Sequence, residues 1–213
     1  MITISDGIGK VSVKASGPES PGAVLVLAHG AGAGMDHPFM SSLAEKLGDS
    51  GIATVRFNFP FAENRKKRPD PPAVAEKTVG KIVEHAREIF PGVPLFAGGK
   101  SFGGRMTSQL LSKKEVSYVK GLVFFGFPLH APGKPSIERA AHLQALKAPL
   151  LFLQGTRDAL AEWSLISEVT SDLANATLTK FEGADHGFRK GKFYLTQELA
   201  ESAAGWMLSR QQA

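Results

Sequence analysis

Ser101 lies inside the stretch Gly99-Lys100-Ser101-Phe102-Gly103, which fits the pattern G-x-S-x-G. This pattern is typical of a nucleophile elbow, a sharp turn from a strand into a helix that presents a serine hydroxyl. The turn strains the serine backbone, and the positions two residues away must lack side chains. The hydroxyl then lies beside the N-terminus of the following helix, where a developing negative charge is stabilised. The sequence therefore predicts Ser101 as a nucleophile.

Two nucleotide-binding patterns overlap the glycine-rich stretches, and both are incomplete. Gly99-Lys100-Ser101 matches the end of a P-loop, but the glycine that this loop requires five residues earlier is Pro94. The run from Gly30 to Gly34 would place the third glycine of a dinucleotide fingerprint at Met35. We therefore favour the serine-nucleophile interpretation and predict no cofactor.

The composition is typical of a soluble globular protein, with 213 residues, 43% hydrophobic and 21% charged, and a formal net charge of +5. This length suits one domain, which we expect to span residues 1–213. The absence of cysteine excludes disulfides, thiolate zinc sites and cysteine nucleophiles. No apolar run approaches the roughly 20 residues that span a bilayer, and the N-terminus does not resemble a secretory signal. We therefore expect a cytoplasmic protein with no membrane partner.

Apolar runs of strand length alternate with segments of helical spacing along the whole chain. This alternation predicts an α/β fold, a mainly parallel sheet with helices on both faces. The predicted strands are residues 11–15, 23–28, 52–57, 94–97, 121–125, 149–153 and 177–181, and the predicted helices are residues 40–50, 74–89, about 104–113, 163–173 and a terminal helix containing Leu199 and Trp206. The segment 127–148 has room for one short helix at most, so we expect little or no lid.

A serine, an acid and a histidine each follow a predicted strand, in the chain order Ser101, Asp158, His186. Ligands bind at the carboxyl ends of parallel strands, so these side chains are expected to meet there. Histidine can take the serine proton near neutral pH, and a buried carboxylate can orient the imidazole. We therefore predict a Ser-His-Asp triad. Asp158 could instead cap a helix, and Asp185 is a less favourable candidate for the acid.

Acyl transfer also needs donors for the oxyanion. One donor is expected to be the backbone N–H of Phe102, next to the nucleophile, and the other the N–H of Ala31 or Gly32. The glycines from Gly30 to Gly34 allow that backbone to approach a ligand. We expect His29 to shape this loop by hydrogen bonding. The remaining histidines share no metal-like spacing, so no metal site is predicted.

Residues near the strand ends are candidates for substrate contact. They are Gly32, Phe59, Lys100, Phe127 and Phe188, although several of the phenylalanines could simply pack in the core. Lys100, Arg105 and the basic loop from Arg65 to Arg68 predict a mild preference for anionic substrates, unless the loop is only a solvated cluster. No aromatic residues are interleaved with those charges, so we predict no nucleic-acid partner.

Four ordered motifs together resemble the α/β-hydrolase superfamily over nearly the whole chain. They are His29-Gly30-Ala31, the Gly99–Gly103 elbow, Gln154-Gly155-Thr156-Arg157-Asp158 and Gly183-Ala184-Asp185-His186-Gly187-Phe188. The segments around the elbow and Arg56-Phe57-Asn58-Phe59-Pro60 resemble a small lidless group, akin to dienelactone-hydrolase-like proteins and to a hydrolase-like subunit of the eukaryotic NSL chromatin complex. Dienelactone hydrolases proper have a cysteine nucleophile, where this chain has Ser101.

This resemblance implies a serine hydrolase of the carboxylesterase or thioesterase type, acting on a small-molecule acyl substrate through an acyl-enzyme. The alternative is a non-catalytic binding or scaffold module with the same fold, because the chromatin-complex relatives resemble scaffolds. A complete triad favours the enzyme.

Overall fold

The computed structural model describes residues 1–210, in which the strands and helices alternate much as the sequence predicts. In chain order the elements are β1 (Ile2–Ser5), β2 (Gly9–Val11), β3 (Val13–Ser16), β4 (Ala23–Ala28), α1 (Pro38–Asp49), β5 (Ile52–Phe57), α2 (Pro60–Glu63), α3 (Pro72–Ile89), β6 (Leu95–Lys100), α4 (Phe102–Lys113), β7 (Val119–Phe125), a 3₁₀ helix (Glu138–Ala145), β8 (Leu150–Gly155), α5 (Trp163–Ser171), β9 (Ala176–Phe181), β10 (Arg189–Lys190), β11 (Phe193–Tyr194) and α6 (Thr196–Leu208).

The central sheet has seven strands in the order β3-β5-β4-β6-β7-β8-β9. The edge strand β3 runs antiparallel to β5, and the other neighbours are parallel. Every residue of β4, β5, β6 and β8 is buried, as expected for parallel strands that are covered on both faces. The predicted α/β fold is therefore confirmed, with the carboxyl ends of the parallel strands along one edge.

Alternate side chains of each strand face two separate helical layers. On one face, Leu25 and Leu27 of β4 pack in a cluster with α1 and α6. On the other face, Val24 and Val26 pack with α3 and α4, and β7 and β8 pack with α5 and the 3₁₀ helix. Among the described residues, no helix is both long enough and apolar enough to span a bilayer.

Short elements account for most differences between the predicted and the observed structure. Two small antiparallel pairs, β1 with β2 and β10 with β11, and the one-turn helix α2 were not predicted. These segments are too short for a hydrophobic period to develop. Strand β6 is longer than predicted, since Gly98 and Gly99 continue it. A Cβ at either glycine would overlap a carbonyl oxygen of the adjacent strand, so glycine here allows close strand approach.

His29 follows β4 and is completely buried beneath the glycine-rich loop. Its Nε2 accepts a hydrogen bond from the Phe59 N–H at 3.0 Å, and Nδ1 lies 2.8 Å from the Gly30 carbonyl oxygen. This pattern requires a neutral imidazole with its proton on Nδ1, because Nε2 must accept. Burial lowers the pKa of His29 to about 4, against a smaller opposing effect of the Gly30 hydrogen bond.

We expect the protein to lose stability as the pH falls from 7 to 4.5, with His29 as a major cause. Between its folded pKa of about 4 and its unfolded pKa of about 6.5, the unfolded chain binds more protons, so acid favours unfolding. The contribution of His29 is about 2–3 kcal/mol at pH 4.5. Urea unfolding at both pH values measures it. His29→Gln should be less stable at pH 7 but lose less stability on acidification, and an equal loss would contradict the assignment.

Candidate active site

Ser101 occupies the turn between β6 and α4 in a backbone conformation that serine rarely adopts, with φ 51° and ψ −116°. The turn presses against the end of β4. A Cβ at Gly103 would lie 2.6 Å from the carbonyl oxygens of both Ala28 and His29, and a Cβ at Gly99 would overlap the Ala28 carbonyl oxygen. Glycine is therefore required on both sides of Ser101, for the steric reason that the sequence pattern suggests.

The side chains of Ser101, His186 and Asp158 form a continuous hydrogen-bonded chain. The Nε2 atom of His186 lies 2.9 Å from Ser101 Oγ, and its Nδ1 lies 2.7 Å from Asp158 Oδ2. The Asp158 side chain is 1% exposed, whereas that of His186 is 25% exposed. The three residues that follow β6, β8 and β9 in sequence thus converge at one edge of the sheet.

Asp158 is held by neighbours that occupy its remaining acceptor positions. Leu160 N–H donates to Oδ1 at 2.8 Å, and the Gln154 amide donates to Oδ2 at 2.6 Å. Gln154 in turn accepts the Phe127 N–H at 2.9 Å. Helix α5 begins at Trp163, so Asp158 does not cap it. Asp158 is therefore free to orient His186.

The Asp185 side chain is not part of the hydrogen-bonded chain. Its Oδ1 accepts the backbone N–H of Arg189 at 2.9 Å, which closes the loop that carries His186. Phe188 lies in the same loop with a positive φ of 56° and a fully buried ring. That ring stacks with Phe39 at a centroid distance of 6.2 Å and meets Phe181 edge-on at 5.6 Å. Phe188 thus anchors the histidine loop in the core.

Lys100, the last residue of β6, connects this strand to the loop that carries His186. Its ammonium donates to the His186 carbonyl oxygen at 2.6 Å and lies 5.4 Å from the centre of the Phe188 ring. Burial lowers the pKa of Lys100 to about 8, while the carboxylates of Asp158 and Asp185 oppose the shift. The lysine side chain therefore places a buried donor behind His186 instead of extending into solvent.

A cleft of about 530 Å³ opens over Ser101 and His186. The glycine-rich loop from Gly30 to Ala33 forms one wall, and Asp185, Gly187 and Arg189 of the histidine loop form part of another. Apolar side chains complete the lining: Phe39, Met40, Leu160 and Tyr194. The segment after β7 contributes only the short 3₁₀ helix, so no lid covers the cleft among the described residues.

The expected substrate contacts are only partly present in this cleft. Gly32 and Lys100 line it, although the Lys100 ammonium is directed to His186. The prediction was wrong for Phe59, Phe127 and Phe188, which are at most 1% exposed and lie in the core. These rings follow strand ends, but each turns inward because burial of an aromatic ring is more favourable than exposure.

Two backbone N–H groups near Ser101 have no acceptor among residues 1–210. They belong to Phe102, the first residue of α4, and to Ala31, which lines the cleft. The first N–H groups of a helix have no partner within the helix, so the Phe102 donor is available at the elbow. Within the same described range, no three His, Asp or Glu side chains form a cluster that could hold a metal ion.

Several residues of the site were not found from the sequence. Gln154 ends the apolar run Leu150–Leu153, and a polar residue at that position is a signal that could have been used. Met40 and Tyr194 come from α1 and β11, which lie far from the three motifs in sequence. Only the packing of those elements against the sheet brings them to the cleft.

The chain belongs to a family described as the alpha/beta hydrolase domain, whose model matches residues 21–205. Its fold is similar to solved hydrolase structures of low sequence identity. Est1E from Butyrivibrio proteoclasticus, solved with ferulic acid bound, matches with a TM-score of 0.78 and 15% identity over 100% of both chains. Dienelactone hydrolase from Anabaena variabilis matches with a TM-score of 0.76 and 19% identity over 98% of this chain and 96% of that one.

A serine hydrolase without a lid from Xanthomonas campestris is also similar, with a TM-score of 0.70 and 18% identity over 96% of this chain and 89% of that chain. The predicted membership of the α/β-hydrolase superfamily is thus confirmed. The resemblance to the NSL chromatin-complex subunit stays a prediction.

We expect Lys100→Met to lower kcat about 10-fold while KM changes little. The substitution removes a charged donor from the His186 carbonyl oxygen, and in a hydrolase a small displacement of the imidazole beside the serine is costly. Steady-state kinetics with a neutral ester measures both constants. An unchanged kcat would show that the histidine loop does not depend on this hydrogen bond.

The pH dependence of stability provides a control for the same variant. Between the folded pKa of Lys100, about 8, and its unfolded value of about 10.4, the unfolded chain binds more protons. This lysine therefore makes wild-type stability rise as the pH is raised from 8 to 10. Urea unfolding should show a smaller rise for Lys100→Met.

Proposed function

We propose that the protein is a serine hydrolase that cleaves an ester or a related acyl bond through an acyl-enzyme. The observation that carries this proposal is the hydrogen-bonded chain from Ser101 through His186 to Asp158. A serine that is strained at a strand-to-helix turn, with an imidazole at 2.9 Å and a buried carboxylate behind it, has the parts that nucleophilic catalysis needs.

In this mechanism His186 holds its proton on Nδ1, toward Asp158, and leaves Nε2 free to accept. As Ser101 Oγ attacks the acyl carbon, its proton passes to Nε2, and Asp158 stabilises the resulting imidazolium. The same proton then goes to the leaving alcohol or thiol as the acyl–oxygen or acyl–sulfur bond breaks. Water then attacks the acyl carbon while His186 Nε2 takes its proton. The bond from that carbon to Ser101 Oγ breaks, Oγ takes the proton back from Nε2, and the acid leaves.

The free N–H groups of Phe102 and Ala31 are our proposed oxyanion hole. Phe102 begins α4, and the loop that carries Ala31 is closed by a hydrogen bond from the Ala33 N–H to the Gly30 carbonyl oxygen at 3.3 Å. Donors that are positioned before the reaction stabilise the developing charge without reorganisation. Gly32 is the alternative second donor.

The substrate is proposed to be a small-molecule ester or thioester. The half-buried side chains of Leu160 and Tyr194, beside the nearly buried Phe39 and Met40, offer a surface for a hydrocarbon or aromatic portion. The aromatic acid bound by Est1E from Butyrivibrio proteoclasticus supports an apolar group of this kind. The open cleft favours substrates that can be reached without a lid movement.

A fluorophosphonate probe tests the nucleophile directly. We expect one covalent adduct at Ser101, measured by intact mass and located by peptide mass spectrometry, because the reagent reports an activated serine. Ser101→Ala should form no adduct, and Ser108, a buried serine of α4, should stay unlabelled. If the protein is folded and forms no adduct, the proposed serine-hydrolase function is contradicted and a non-catalytic module is favoured.

We also expect Ser101→Ala and Asp158→Asn to reduce kcat on p-nitrophenyl acetate by about 10⁴-fold each. The two losses should not add in the double variant, because the residues act as a unit. Circular dichroism establishes that the variants are folded. Turnover that is equal in wild type and Ser101→Ala would contradict the proposal.

A further inference from the structure

A second groove, of about 620 Å³, opens directly off the catalytic cleft. The two cavities share the wall formed by Ala31, Gly32, Ala33 and His37. Phe61, at the base of the groove, lies 6.0 Å from the ring of Phe102, the residue after Ser101. A ligand that reacts at Ser101 could therefore extend into this groove across the glycine-rich loop.

Three cationic residues of the basic loop line the groove: Arg65, Lys66 and Lys67. All are exposed, and none has an ion pair or a side-chain hydrogen bond with any of residues 1–210. Neighbouring carboxylates do not neutralise them. One acidic residue, Asp36, also lines the groove, and it lies within ion-pair distance of Arg56 at 3.9 Å and Lys14 at 3.7 Å.

The other carboxylates near the loop are occupied by structural hydrogen bonds. Glu63 accepts the Ser12 N–H at 3.0 Å, the Ser12 hydroxyl at 2.9 Å and the Asn58 amide at 3.0 Å. Asp70 accepts the Phe61 N–H at 2.8 Å. The acidic groups therefore hold the base of the loop, and the cationic groups are left to face the groove.

The backbone of the loop is also fixed. Arg65 has a positive φ of 54°, and its N–H donates to the Ala62 carbonyl oxygen at 3.1 Å. The Lys66 N–H donates to the Phe61 carbonyl oxygen at 2.7 Å. These bonds connect the cations to α2 and so to the elbow. A loop whose backbone is already fixed loses less entropy when it binds an anion than a mobile loop does.

We propose that this groove binds an anionic group, a carboxylate or a phosphate, at the end of an ester substrate whose carbonyl lies at Ser101. The inference rests on the proposed hydrolase function and specifies its substrate class. The excess of cations raises the local concentration of an anionic ester and stabilises its bound end. The glycine-rich loop has little side-chain bulk between the two cavities, which leaves space for a connecting chain.

Matched esters test the substrate class. The p-nitrophenyl half-ester of suberic acid carries a terminal carboxylate, p-nitrophenyl suberamate replaces it with a neutral amide of the same shape, and a chain of equal length ends in a phosphonate. We expect kcat/KM to be about 10-fold higher for at least one anionic ester than for the amide, a difference that decreases as ionic strength rises. The anion that gives the higher value identifies the preferred group, and either preference supports the proposal.

The double substitution Lys66→Gln/Lys67→Gln should reduce this preference to about two-fold, because only Arg65 of the three loop cations remains. The kcat/KM for the neutral amide should stay within about two-fold of wild type. The matched control is Lys114→Gln/Lys147→Gln, which removes the same charge. Lys114 follows the C-terminus of α4, about 18 Å along the helix from the elbow. Lys147 precedes the amino end of β8, away from the carboxyl ends of the strands. The ion pairs that Lys114 and Lys147 form are both exposed, so the control variant should fold normally.

Three results would contradict anion binding in the groove. They are no preference for an anionic ester in wild type, an equal loss of kcat/KM on all three esters in the loop variant, or the same loss of preference in the control variant. If wild type hydrolyses none of the esters, the hydrolase function fails, and calorimetry with the suberate half-ester still tests the groove. A Kd at least 10-fold weaker in the loop variant than in the control supports it. Absent binding or equal Kd values overturn it.

Discussion

The close approach of the β6–α4 turn to the carboxyl end of β4 is the constraint on which the site depends. Two glycines permit it, and their Cβ atoms, if present, would meet the Ala28 and His29 carbonyl oxygens. The approach forces Ser101 into a positive φ and directs its hydroxyl to the sheet edge. It also places the glycine-rich loop beside the elbow, so that one contact arranges both Ser101 and the proposed backbone donors.

Buried polar groups keep Asp158 and His186, the other two members of the hydrogen-bonded chain, in position. Asp158 is surrounded by donors from Gln154, Leu160 and His186, and Lys100 holds the carbonyl of His186 from below. A buried ammonium is costly to desolvate, and the two neighbouring carboxylates offset only part of that cost. The site therefore combines a strained serine with a desolvated lysine, a concentration of unfavourable features that is common where chemistry takes place.

Charged groups and aromatic rings have different roles around this site. Carboxylates near the basic loop bind backbone and side-chain donors, and so they hold the loop without cancelling its cations. Aromatic rings near the site pack inward. Phe59 and Phe61 pack under the elbow, and the centre of the Phe59 ring lies 5.0 Å from that of His29 and 5.3 Å from that of Phe102. Phe59, which the sequence suggested for substrate contact, thus packs beneath the candidate site, while Arg65, Lys66 and Lys67 line the groove.

The sequence alone determined the α/β fold and the strands around the elbow. It also predicted the three residues that the structure brings together, Ser101, Asp158 and His186, because each follows an apolar run locally. Tertiary structure decided the direction of each side chain. Phe59, Phe127 and Phe188 turn inward and Lys100 turns to His186, choices set by packing between elements distant in the chain. The cleft walls from α1 and β11, and the groove beside the basic loop, exist only once those elements are packed together, since no local pattern records which surfaces will meet.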